Sequence, residues 1–121
     1  MRRLLVLVVV LILIGAAAWA QSNFGTGQWL VDLWKSFQKP DKDTYDFANA
    51  KEYGAFVLGA GSVMVTVDWI VFVPNTTYGQ WFAIVGKYLD NHPEQWNLQP
   101  QVLVYLALSA VWPGKAKPTG L

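Results

Sequence analysis

From Tyr78 to Leu89 the large apolar residues recur at a helical interval. Tyr78, Trp81, Phe82, Val85, Tyr88 and Leu89 sit at i, i+3, i+4, i+7, i+10 and i+11, which places six side chains on one helix face. Thr77 and Gln80 before them make a Thr-x-x-Gln capping box, and Pro74 halts whatever comes earlier because it has no amide hydrogen. Asp90-Asn91-His92-Pro93 closes this helix. A last helix is predicted from Leu98 to Trp112, apolar on almost every side, with Pro100 in its first turn, Asn97 as its cap and Pro113-Gly114 as its end. A helix without a wet face belongs at the centre of a bundle or in a subunit interface.

Upstream, Trp29, Leu30, Leu33, Trp34 and Phe37 make a stripe in a helix that opens at Thr26 or Gly27, with Asp32, Lys35 and Gln38 facing away. Lys39 to Asp43 reads as a solvated loop. Asp43 is a good cap for the next helix, and Asp46 sits near the positive end of its dipole. The segment from Thr44 to Phe72 pulls two ways. Up to Gly61 it is helical, with Phe47, Ala50, Gly54, Val57, Leu58 and Gly61 on one side. From Val63 to Val73 β-branched residues dominate, and propensity there favours a strand. A long helix is the preferred reading, because close approach of a neighbour would give Gly59, Ala60 and Gly61 a purpose. Its stripe would continue through Met64 and Val65 to a partly buried, hydrogen-bonded Asp68. The nearly apolar stretch from Ala55 to Val73 also raises a membrane span. Asp68 would cost about 2.5 kcal/mol or more at the bilayer centre, and no basic anchors flank the stretch, so a core helix fits better. The pattern as a whole predicts an all-α chain, a small four-helix bundle.

The first residues change the picture. Arg2 and Arg3 precede an apolar run from Leu4 to Ile14, and Ala18-Trp19-Ala20 supplies small residues at −3 and −1. That is the plan of a cleavable secretory signal peptide over residues 1–20, shorter than the roughly 20 residues of a spanning helix. The expected organisation is this leader, a helical domain over 21–114 and a flexible tail over 115–121. Of 121 residues, 101 remain after cleavage, enough for one core. Losing Arg2 and Arg3 lowers the basic count from 9 to 7 against 8 acids, a net charge of −1. With no basic run left, nucleic acid and an anionic membrane surface are poor partners, and no membrane insertion is expected after cleavage. There is no cysteine, so packing alone must hold an exported chain together, and six tryptophans beyond the leader make that feasible.

Little chemistry is on offer. His92 is the sole histidine, lodged before Pro93 in a turn. Without cysteine or a second histidine there is no thiol nucleophile and no zinc set. A serine-based triad would have to join His92 to Ser22, Ser36, Ser62 or Ser109, and no G-x-S-x-G elbow exists. Asp68, Asp90 and Glu94 are the material for a carboxylate pair, but read more simply as one buried acid and two solvated ones. Gly59-Ala60-Gly61 lacks the strand context and third glycine of a dinucleotide site. An enzyme is not expected, nor a cofactor or metal. What remains is binding through loops. Asp90, Asn91, His92, Glu94, Gln95 and Trp96 crowd acids, amides, a histidine and a tryptophan into one turn. Trp96 is either an anchor for a partner or a residue packed beneath the turn.

Three stretches carry a resemblance. They are Val73-Pro74-x-x-Thr77-x-Gly79-Gln80, then Val85-x-Lys87-Tyr88-Leu89-x-x-His92-Pro93-Glu94, then Val104-x-x-Ala107-Leu108-x-x-Val111-Trp112-Pro113. With Phe56-Val57-Leu58-Gly59 before them, they resemble the Rap/Tai family of helical periplasmic immunity proteins, which neutralise peptidoglycan amidase effectors of type VI secretion systems. The likeness runs from Tyr53 to Pro113. It implies a periplasmic, effector-binding role, often as a homodimer. Many members carry cysteines where this chain has Val73, Gly114 and, roughly, Tyr53, so the family's disulfides are absent. A structural or assembly protein of the cell envelope, acting through helix-mediated self-association, is the alternative expectation.

Overall fold

A computed structural model describes residues 25–120. The expected signal peptide over residues 1–20 lies outside the described residues. Among these residues four α-helices follow in order: α1 (Gly27–Gln38), α2 (Thr44–Thr66), α3 (Tyr78–Asn91) and α4 (Pro100–Val111), with a 3₁₀ turn, Pro93–Gln95, between the last two. The fold is all-α, a small helical bundle. α1 packs most extensively on α2, and α3 on α4. No helix among the described residues is long and apolar enough to cross a membrane.

Each helix buries the face its sequence marks. Leu30, Leu33 and Trp34 of α1 meet Val57 and Met64 of α2, Trp81, Val85 and Leu89 of α3, and Leu103, Val104, Ala107 and Leu108 of α4 in one core. A fully buried aliphatic side chain of this kind contributes about 1.5–3 kcal/mol. α4 buries Leu103, Val104, Tyr105, Ala107 and Leu108 in the bundle, while its apolar residues Ala110 and Val111 are exposed. The ends of the amphipathic stripes are wet instead: Phe47 and Tyr78 were expected on core faces but are exposed, each in the first turn of its helix, where no neighbour reaches. An aromatic cluster of Trp34, Phe37, Tyr53 and Phe82 ties α1, α2 and α3 together.

Glycine decides how closely the helices approach. A Cβ on Gly86 would collide with the Trp34 indole, and one on Gly61 with the Trp81 ring. Gly61 thus has the purpose expected of it. Gly59 does not, since a Cβ there meets nothing within 4 Å.

The long second helix stops earlier than its apolar run suggests. Beyond Thr66 the chain makes a Schellman turn: the Trp69 amide donates to the Met64 carbonyl at 2.9 Å and the Asp68 amide to that of Val65 at 3.2 Å. Asp68 takes the left-handed position, φ 62°, which Asp tolerates better than most residues. The β-branched run lowers the cost of leaving the helix, and the turn satisfies the carbonyls that would otherwise be orphaned. Asp68 is consequently exposed, not part of a buried stripe. Past it, Ile70 is buried and forms an isolated antiparallel bridge with Pro113. Val63 to Val73 is therefore helix, then turn, then one bridged residue, with no strand proper.

One further expectation changes. The cap of α4 is Gln99 and not Asn97. Pro100 takes the first helical position, and a proline there biases its predecessor to the extended geometry that Gln99 shows. After α4, the Gly114 amide donates to the Trp69 carbonyl and the Ala116 amide to that of Asp68, and Pro118 is buried.

The α1–α2 corner holds a buried polar group. Asp43 and Asp46 make the capping box of α2, and Asp46, only 3% exposed, pairs with Lys39 at 3.1 Å. Burial alone would raise its pKa. The hydrogen bonds from Lys39, Ser36 and the Asp43 amide, with the Lys39 charge, outweigh that and hold the carboxyl below its ordinary value. A group with a lowered folded pKa stabilises the fold above its unfolded pKa of 3.8 and loses that contribution as pH falls through the folded value. Acid titration of the wild type and Asp46→Asn, followed by circular dichroism, should therefore show the variant less sensitive below pH ~4. Denaturant melts should separate the glycines. Gly86→Ala is expected to lose about 1–3 kcal/mol by overpacking against Trp34, whereas Gly59→Ala, in open helix, should gain about 0.5–1 kcal/mol.

Candidate functional site

The turn from Asp90 to Trp96 grows out of the end of α3, and contacts from α1 and α3 fix it. From α1, the Trp34 indole N–H donates to both Asp90 carboxylate oxygens, at 3.2 Å each. The indole reaches them because Gly86, one turn before Asp90, offers no side chain in its path. From within α3, the Tyr88 hydroxyl donates to Gln95 Oε1 at 2.7 Å. The Tyr88 ring also stacks on the His92 imidazole, with centroids 3.9 Å apart and planes 16° from parallel. His92 Nδ1 lies 2.8 Å from the Tyr88 carbonyl. A carbonyl can only accept, so it is Nδ1 that donates here.

Trp96 settles beneath the turn. Its indole N–H donates to the Leu89 carbonyl at 2.8 Å, and the Lys35 ammonium stands 5.6 Å from the ring centroid. The backbone that follows also closes the start of α1. The Gly27 amide donates to the Leu98 carbonyl at 2.7 Å and the Gln28 amide to the Trp96 carbonyl at 3.0 Å, so amides a helix N-terminus leaves orphaned are satisfied by the loop. A Cβ on Gly27 would clash with Leu103 and the Trp96 carbonyl, which is why the approach is possible.

The six residues singled out from sequence thus lie together, divided in two. Asp90, Asn91 and Glu94 are exposed; His92, Gln95 and Trp96 are half-buried, and their polar groups are engaged in holding the turn. The sequence reading missed Trp34, Lys35 and Tyr88 as supports. Tyr88 could have been found, being one helical turn before His92. Trp34 could not, because 56 residues separate it from Asp90.

Beneath the turn, Tyr53 donates its hydroxyl to the Phe82 carbonyl at 2.6 Å. Burial, and after it the Asp90 charge, push the Tyr53 hydroxyl well above the ordinary phenol range, so it stays a donor. Among the described residues no group of three or more His, Cys, Asp or Glu side chains could hold a metal ion. Comparison with protein families, characterised proteins and solved structures gives no match for the chain. The likeness to the Rap/Tai family rests on the residue string alone.

The arrangement offers a stiff, polar projection. Tyr88→Phe keeps the ring stack but removes the donor to Gln95. It should cost about 0.5–1.5 kcal/mol in a denaturant melt and speed amide hydrogen exchange selectively over residues 92–97. Unaltered exchange there would mean the turn is held without this bond.

Proposed function

We propose that this chain is a periplasmic immunity protein that binds a peptidoglycan amidase effector of a type VI secretion system and blocks its cleft sterically. The observation that carries the reading is the turn: its half-buried members lock it from beneath, while Asp90, Asn91 and Glu94 face solvent. A loop ordered before binding loses little conformational freedom on docking, so its contacts translate more fully into affinity. The resemblance described above supports the same assignment, since its segments supply the α3 cap, the His92-Pro93-Glu94 turn and the inner face of α4. In this reading the protein runs no reaction. His92 and Trp96 shape the turn, and the exposed acids and amide make the contact, favouring a basic or amide-rich rim on the effector.

A second reading, an envelope assembly protein acting by self-association, has its own observation. Val71, Phe72 and Val73 are consecutive, apolar and exposed at 45, 57 and 38%. The neighbouring genes discriminate: an adjacent papain-like amidase favours immunity, and a lone gene favours assembly.

The direct test is calorimetric titration of that amidase with the wild type, Asn91→Arg and Glu94→Arg. Loss of a central contact costs about 2 kcal/mol, or roughly thirtyfold in Kd, and each variant should be weakened by about that much with an unchanged melt. Equal affinity in all three would reject the turn as the contact. No binding by the wild type would reject the immunity reading.

A further inference from the structure

Between α2, α4 and the segment after Gly114 lies a groove of about 480 Å³. That lies within the range of about 300–1,000 Å³ typical of small-molecule sites. Val63, Met64, Trp69, Val102 and Pro118 make its wall apolar. A second recess of about 360 Å³ shares Trp69 and Tyr105, whose rings meet edge to face at 6.0 Å, and is lined beyond them by Ser109 and Lys117.

Tyr105 belongs to both spaces and is only 9% exposed, yet its hydroxyl has no hydrogen-bond partner among the described residues. Every sealed polar side-chain atom there has a partner, so this hydroxyl is not sealed and is reached from the groove. The only charged residue lining either space is Lys117, which joins no ion pair among the described residues. An apolar trough leading to an unpaired ammonium and an unused hydroxyl has the polarity of one kind of molecule.

We propose that the groove binds a single-chain anionic amphiphile, its acyl chain between α2 and α4 and its carboxylate at Lys117 and Tyr105. The trough removes the chain from water, and the two donors make charge-assisted hydrogen bonds to the headgroup. The carboxylate distinguishes this ligand from a neutral lipid, for which Lys117 would be unnecessary.

The test titrates the delipidated full chain with dodecanoate and with dodecanol, each below its micelle concentration, by calorimetry. Saturable dodecanoate binding is expected, with the alcohol weaker by about fivefold or more. Val102→Trp should fill the trough and abolish both. Lys117→Glu, an exposed change that leaves the core alone, should weaken dodecanoate by a similar factor and leave the alcohol unaffected. Absence of saturable binding to the wild type overturns the proposal, as does dodecanoate affinity indifferent to Lys117→Glu. Sedimentation of the same samples gives the remaining outcome: a dimer that Val102→Trp dissociates, without amphiphile binding, would assign the groove to a second copy and also overturn it.

Discussion

Trp34 is the residue through which the molecule's parts depend on one another. Its ring lies in the space that Gly86 leaves open, stacks on Phe37, leans against Tyr53 at 39°, and directs its N–H at Asp90, the first residue of the turn. Three helices and the projecting loop therefore share one side chain. Packing fixes the ring, and the ring holds the carboxylate at the end of α3. The core is thus not separate from the proposed binding surface. With no cysteine in the chain, such shared aromatic contacts must hold the helices together without covalent cross-links.

The turn shows how polar groups can stiffen a loop without a metal or a bridge. Tyr88 serves it three times, by stacking on His92, by donating to Gln95 and by offering its carbonyl to His92 Nδ1. Trp96 and Leu98 lend their carbonyls to α1. The loop and the first helix complete each other's hydrogen bonding, so neither is fully satisfied alone.

Local patterns in the sequence carried the helices well. The Thr77–Gln80 box, the Asp43 cap and the stripes of α1 and α3 each rest on neighbours a turn apart, and such neighbours are visible in a string. The end of α2 was not legible, because an Asp in the left-handed position is a rarer stop than a glycine and the apolar run continues past it. The docking of residues 114–120 was hidden for another reason: a Pro-Gly followed by lysines looks the same whether or not a distant backbone edge awaits it. For the turn, sequence proximity identified which residues gather there. It did not reveal which of them point inward, since that depends on Trp34 and Lys35 from the other end of the chain.

The pairing of residues 112–116 with 68–71 has a bearing on synthesis. Those late residues leave the ribosome after all four helices have been made, yet they complete the backbone bonding of the segment that follows α2. Contacts so far apart along the chain are slow to form. A nascent chain that stops short of them has a helical bundle with one side unfinished, and apolar surface of α2 and α4 left open to water.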